Sequence, residues 1–179
     1  QEIHHRVKNN LQTVASLLRL QARSADADPR TALEDSVNRI LAIAAVHEVL
    51  TEQREEVVEL RELIDRLRAM LVQGLAAGKE VRAELQEVSL AGNRATALAL
   101  VFSELLQNAL QHGGEAVDIE LAQRNGEVVL AITDDGRGIE SDASGTGLSI
   151  VRALVRDELQ GRLDLRSERG TRAEVVFPA

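Results

Sequence analysis

His5, in the run His5-Arg6-Val7-Lys8-Asn9, offers an imidazole nitrogen that can attack phosphorus. An imidazole pKa near ~6.5 leaves such a nitrogen largely neutral, and so nucleophilic, at neutral pH. Asn9 lies one helical turn beyond His5 and can orient a water against a phosphorylated ring. Glu104 and Asn108 are four residues apart, with His112 four further on, so all three share a helix face. The neutral amide oxygen of Asn108 suits Mg²⁺ without adding charge beside phosphates. Glu104 is placed to hold a metal-bound water, and His112 continues the face toward the phosphates. Asp134-Asp135-Gly136-Arg137-Gly138 ends an apolar run, Val128 to Ile132. An ionised Asp134 only accepts hydrogen bonds, which suits the amino group of adenine and repels the carbonyl of guanine. Gly145-Thr146-Gly147-Leu148 then opens a helix whose first N–H groups can face phosphate.

Each motif alone has a plainer reading. Two adjacent histidines are usually a solvated helix surface, Glu104 to His112 a polar face, and Asp-Gly an acidic turn. Order and spacing favour the chemical reading. Other phosphate motifs fail. The two lysines, Lys8 and Lys79, follow no glycine-rich loop, and neither glycine pair has the third glycine of a dinucleotide fingerprint.

The elements that must position these groups are legible in outline. Ile3, Val7, Leu11, Val14 and Leu18 recur at helical spacing and predict a helix over Glu2–Arg23. On its wheel His5 falls about 150° from the apolar centre and His4 about 50°, so His5 faces solvent and His4 flanks the core. Pro29 suits the first position of a second helix, running to about Thr51 with a stripe of Leu33, Val37, Ile40, Leu41 and Ala44. The resulting hairpin has too little surface to bury both stripes, and pairing two hairpins into a four-helix bundle would solve this. Thr51–Glu56 reads as a boundary. Beyond it the pattern predicts helices over Leu60–Leu75, Ala95–His112 and Thr146–Leu159. It predicts strands over Val81–Leu90, Val117–Gln123, Glu127–Thr133, Arg162–Arg166 and Arg172–Phe177. Such a mixture indicates an α+β chain, its second part an α/β sandwich.

Composition narrows the partners. A net charge of −8 argues against nucleic acid. Aromatic content of 1%, only Phe102 and Phe177, removes base-stacking platforms and leaves a purine to aliphatic neighbours. With no cysteine there is neither a disulfide nor a thiolate zinc site. No apolar stretch approaches the ~20 residues of a membrane span. Without a signal peptide or initiator Met, the expectation is an internal piece of a longer cytoplasmic chain.

Taken together, His5-Arg6-Val7-Lys8-Asn9 resembles the His-Arg-x-x-Asn phosphoacceptor box of sensor histidine kinases related to the HWE group. Glu104-Leu-Leu-Gln-Asn108-Ala is similar to the N box of the GHKL ATPase superfamily. Asp134 to Gly138 and Gly145 to Leu148 are similar to its two glycine boxes, and Gly170-Thr171 to the start of its last strand. The resemblance covers essentially the whole chain and is especially close to soluble actinobacterial-type kinases. It implies a dimerisation and histidine-phosphotransfer hairpin over residues 1–54 and an ATP-binding domain over 55–179. It implies ATP and Mg²⁺, with Asp134 on the adenine, Thr171 near the base, Asn108 on the metal, Gly145 and Gly147 beside the phosphates, and His112, Gly136, Gly138, Thr146 and Leu148 completing the nucleotide-binding set. His5 would take the phosphoryl group, with Asn9 and Glu104 assisting. A homodimer, a response regulator and upstream sensor domains are the implied partners. Only six residues, Ile139–Ser144, separate the glycine boxes, a shorter ATP lid than the family's usual one. A non-catalytic nucleotide-binding scaffold and a GHKL serine kinase or ATPase of another branch are the competing readings. The first is disfavoured by the presence of His5, Asn108 and Asp134. The second would not need the His5 hairpin.

Overall fold

Pro29 opens a long helix, α1 (Pro29–Gln53), as its fixed φ predisposes it to do. The computed structural model describes residues 28–53, 57–75, 78–138, 146–167 and 169–179, together with Gln12, Ala15 and Arg19, which are helical. His5, Asn9 and the rest of the predicted first helix lie outside the described residues. After α1 come β1 (Val57–Glu59), α2 (Leu60–Leu75), β2 (Glu80–Leu85), β3 (Ser89–Ala91) and α3 (Gly92–His112). The chain ends with β4 (Ala116–Arg124), β5 (Glu127–Asp134), α4 (Thr146–Asp157), β6 (Arg162–Arg166) and β7 (Thr171–Pro178).

The main sheet has the order β2-β4-β5-β7-β6; β2 runs parallel to β4, and the other neighbours are antiparallel. Asn125 and Gly126 both have positive φ, 53° and 80°, matching the twist of a tight hairpin between β4 and β5. Along the inner face, Val117, Ile119 and Leu121 align with Val128, Leu130 and Ile132, and with Ala173, Val175 and Phe177, all buried. The outer face is mixed, with charged side chains beside the buried Ala122, Ala131 and Val176. Arg172 spans it, donating to Thr133 at 3.1 Å, Glu174 at 2.8 Å and Glu120 at 3.3 Å. Period-two alternation keeps the inner face dry.

Helices cover the dry face. α3 is central, buried from Ala95 through Leu110 on nearly every side, between α2 and α4. α1 packs across α3 and α2, and its Ala42, Ile43, Val46 and Val49 join the same buried cluster as Leu60, Leu67 and Leu106.

Two expectations change here. The alternation over Val81–Leu90 is two strands rather than one. β2 ends at Leu85, and β3 pairs antiparallel with β1 in a separate two-stranded sheet, Val58 opposite Leu90. The stripe read on the second helix is not its buried face. Leu33, Val37, Ile40 and Leu41 are 66%, 47%, 45% and 41% exposed, while the opposite side of α1 meets the sandwich. At ~100° per residue, Arg39, Ala42, Ile43 and Val46 lie roughly opposite Leu33, Val37, Ile40 and Ala44. Thus α1 is apolar on two sides.

Candidate functional site

Asp134 is the fourth member of the inward series Val128, Leu130, Ile132, Asp134, so β-strand parity turns its carboxylate into the dry layer. It is 8% exposed and accepts a hydrogen bond from the Gly136 N–H at 2.9 Å. Asp135, one residue on, is exposed, and its carboxylate instead accepts the Ala116 N–H at 2.9 Å, tying the ends of β4 and β5 together. Period-two geometry thus gives adjacent aspartates different work.

Three glycines let the backbone close around Asp134. A Cβ on Gly113 would lie 2.8 Å from the Asp134 Cβ, one on Gly136 would lie 2.9 Å from its Oδ1, and one on Gly170 would lie 1.9 Å from its carbonyl oxygen. Gly170 has φ +114°, a conformation glycine adopts without strain. Thr171 is the direct partner of Asp134 across β5 and β7, so the two side chains share a face. Gly138, with φ +87°, fits against Ser167 and the Gly170 carbonyl. The second turn of the Asp-Gly motif is therefore held by the β6–β7 hairpin.

The N-box helix supplies the neighbouring wall. Its last turn ends at Gly113, whose N–H bonds the Ala109 carbonyl at 2.9 Å. Lys79 donates to the carbonyls of Leu110 and Gly113, placing a cation at the negative end of α3. Sequence reasoning missed this role; the only hint was that lysine is so rare in the chain. Asn108 is half-buried one turn before the helix end, and His112 is exposed in the final turn.

Glu104 is 6% exposed. Its Oε1 accepts a hydrogen bond from the Arg39 guanidinium of α1, an ion pair whose two side chains are 5% and 7% exposed. Burial pushes the Glu104 carboxyl above its ordinary value, against the opposing pull of the Arg39 hydrogen bond and charge, and Asp35 adds to the rise. Its other oxygen lies against α4, where a Cβ on Gly147 would come within 2.6 Å of Oε2. Gly147 therefore packs closely on the end of the Glu104 side chain, a contact distinct from the phosphate contact its sequence suggests. Leu148 is buried beside it. Thr146 opens α4, and Gly145 lies outside the described residues.

The fold therefore brings the Asp134 turn, the C-terminal half of α3 and the start of α4 to one edge of the sandwich. The glycine-lined cradle at Asp134 fits an adenine edge, since a charged acceptor sits where no side chain can intrude. Among the described residues no cluster of three or more His, Asp or Glu forms a metal cage. The Asn108 amide offers a neutral, hard oxygen, a donor chemistry that a hydrated divalent cation accepts.

The family described as "Histidine kinase" matches residues 2–75, and "Histidine kinase-, DNA gyrase B-, and HSP90-like ATPase" matches residues 93–179. The chain is 41% identical over 194 aligned positions to the sensor histidine kinase PdtaS of Mycobacterium tuberculosis, covering 98% of this chain and 38% of that protein. It is 27% identical to blue-light-activated histidine kinase 2 of Erythrobacter litoralis, across 87% of this chain and 49% of that one. In structure it is similar to the histidine kinase domain of the Erythrobacter litoralis EL346 blue-light-activated kinase, with a TM-score of 0.80 and 25% identity, over 99% of this chain and 91% of the other. The chain thus spans well under half the length of the PdtaS relatives it matches.

Proposed function

Because the chain belongs to the histidine kinases, by the two family regions that together span most of it, we propose that it is the core of a sensor kinase that phosphorylates His5 from Mg²⁺–ATP and passes the group to a response-regulator aspartate. The observation that carries the reading is the cradle at Asp134, where a buried carboxylate closes the β5 inward series among Gly113, Gly136 and Gly170. Asp134 accepts the adenine amino group, with Thr171 beside it. Asn108 supplies an amide oxygen to Mg²⁺, which would offset phosphate charge when bound. The start of α4, at Thr146 and Gly147, is the side that receives the phosphates. The neutral imidazole of His5 takes the γ-phosphoryl group as its bond to ADP breaks, and Asn9 positions the water that later hydrolyses the phosphohistidine.

A homodimer through α1 and the preceding helix, upstream sensor domains and a cytoplasmic setting complete the reading. No helix among the described residues is long and apolar enough to cross a membrane. The exposed stripe of α1 is the support for dimerisation, since four large apolar side chains on one helix face need a partner. Ile40→Glu converts the dimer to a monomer by light scattering at micromolar concentration, and the monomer keeps its fold by circular dichroism because Ile40 lies outside the buried cluster of the chain. A monomer in the unaltered protein would contradict this.

The test of the function is incubation with γ-labelled ATP followed by acid treatment of the product. A phosphohistidine loses its label in acid. No label at all points to a non-catalytic scaffold, and an acid-stable label points to a serine kinase.

A further inference from the structure

Gly113 and Gly114 link the end of α3 to β4, and their backbone lies against the Asp134 turn. A Cβ on Gly113 would lie 2.9 Å from the Asp134 Cγ, and one on Gly136 would lie 2.8 Å from the Gly113 Cα. A Cβ on Gly114 would lie 2.9 Å from the Asp135 carbonyl oxygen. The link is therefore one wall of the cradle, in contact with the carboxylate proposed to read the base. Glycine has the widest backbone freedom of any residue. A wall made of two glycines keeps its place only where its peptide groups are held. The start of β2 holds them. The Glu80 N–H donates to the Glu115 carbonyl at 2.8 Å, just beyond the two glycines. The half-buried Lys79 donates its ammonium to the Leu110 carbonyl and, at 3.1 Å, to the Gly113 carbonyl.

We infer that Lys79 is a positioning residue for adenine recognition: its ammonium holds the Gly113 peptide in place, and that peptide sets the Asp134 carboxylate for the base. The inference rests on Asp134 reading adenine as proposed above. A lysine that only caps a helix needs only the carbonyls of the last turn. Here the second bond reaches past α3 to the residue that touches Asp134. A charged donor also makes the stronger kind of hydrogen bond, which suits a tether on mobile backbone. Among the described residues Lys79 has no carboxylate partner within ion-pair distance, so its bonds are to main-chain oxygens.

The test uses the full chain with three substitutions. Lys79→Met keeps the aliphatic stem and removes the donors. Lys79→Gln keeps a neutral donor and guards against misfolding of the first. Lys79→Arg can donate to the same carbonyls. Affinities for non-hydrolysable ATP and GTP analogues are measured by calorimetry, and Lys79→Met is repeated in an Asp134→Ala background. Lys79→Met should weaken binding of the ATP analogue about threefold or more, as expected of groups coupled through one hydrogen-bonded network. The loss is equal with Mg²⁺ and with EDTA, because it arises on the base side. Preference for the ATP over the GTP analogue narrows. Lys79→Gln shows a smaller loss and Lys79→Arg restores the affinity. With Asp134 already removed, Lys79→Met has no further effect. In autophosphorylation KM for ATP rises while the rate at saturating ATP holds. A lower melting temperature with unchanged ATP affinity overturns the inference and leaves Lys79 a helix cap. An equal loss in the Asp134→Ala background also overturns it. Unchanged affinity in Asp134→Ala alone removes the cradle reading and this inference with it. An unaltered protein that binds ATP but never labels sinks only the kinase reading, and the calorimetry still decides the role of Lys79.

Discussion

Asp134→Ala is expected to weaken ATP binding about 10- to 100-fold while leaving the chain folded. A hydrogen bond to a charged group contributes roughly 1.5–3 kcal/mol, and each ~1.4 kcal/mol is a factor of ten in affinity. The substitution removes the acceptor for the adenine amino group. It also frees the Gly136 N–H, which lies in a half-buried turn open to water. Asp134→Asn is the sharper test. Its amide oxygen can still receive Gly136 N–H, so the turn survives, but the other atom becomes a donor. That donor opposes the adenine amino group and complements the guanine carbonyl. ATP affinity should fall and the preference for ATP over GTP should shrink. Asp135→Ala, whose carboxylate serves only the β4–β5 end, leaves ATP affinity in place. Gly170→Ala should lose both stability and ATP binding. Its Cβ would stand 1.9 Å from the Asp134 carbonyl at φ +114°, so strand β7 must shift and the cradle with it. Titrating each variant with ATP and GTP checks the set, and unchanged affinity in Asp134→Ala would place the base elsewhere.

His5→Gln should abolish autophosphorylation with ATP binding and dimerisation intact. The imidazole is the acceptor, and glutamine has no nitrogen of comparable nucleophilicity. His4→Gln should retain most of the label. The distinction rests on the helical wheel and on the position of each histidine relative to Arg6, since both lie outside the described residues. Asn9→Ala should bind ATP normally and prolong the lifetime of phosphorylated His5, because the water that would hydrolyse it loses its guide. Label lost in His4→Gln but kept in His5→Gln would reverse the assignment and remove the role given to Asn9. Pulse labelling followed by a chase with unlabelled ATP reads both quantities.

The sequence by itself determined the pieces whose causes are local. The β4–β5 hairpin follows from alternation on both sides of Arg124-Asn125-Gly126, and residues 125 and 126 adopt the positive φ that such a turn needs. Helix α2 begins and ends where its periodicity does. Asp134, not Asp135, faces inward because it continues a period-two series begun at Val128. The tertiary structure alone decided what depends on distant partners. Val81–Leu90 reads as one strand, yet Leu90 pairs with Val58 while Val81 pairs in parallel with Val117. Alternation records which side chains turn inward but not which neighbour they meet. Likewise the exposed stripe of α1 was legible, and its second apolar face was not. Arg39 interrupts that face, and nothing local announces that its charge is answered by Glu104. Lys79 reads as a lone surface cation until the end of α3 arrives above it. A periodic pattern is a property of a few consecutive turns, whereas a buried charge is tolerable only through a partner that the folded chain brings to it.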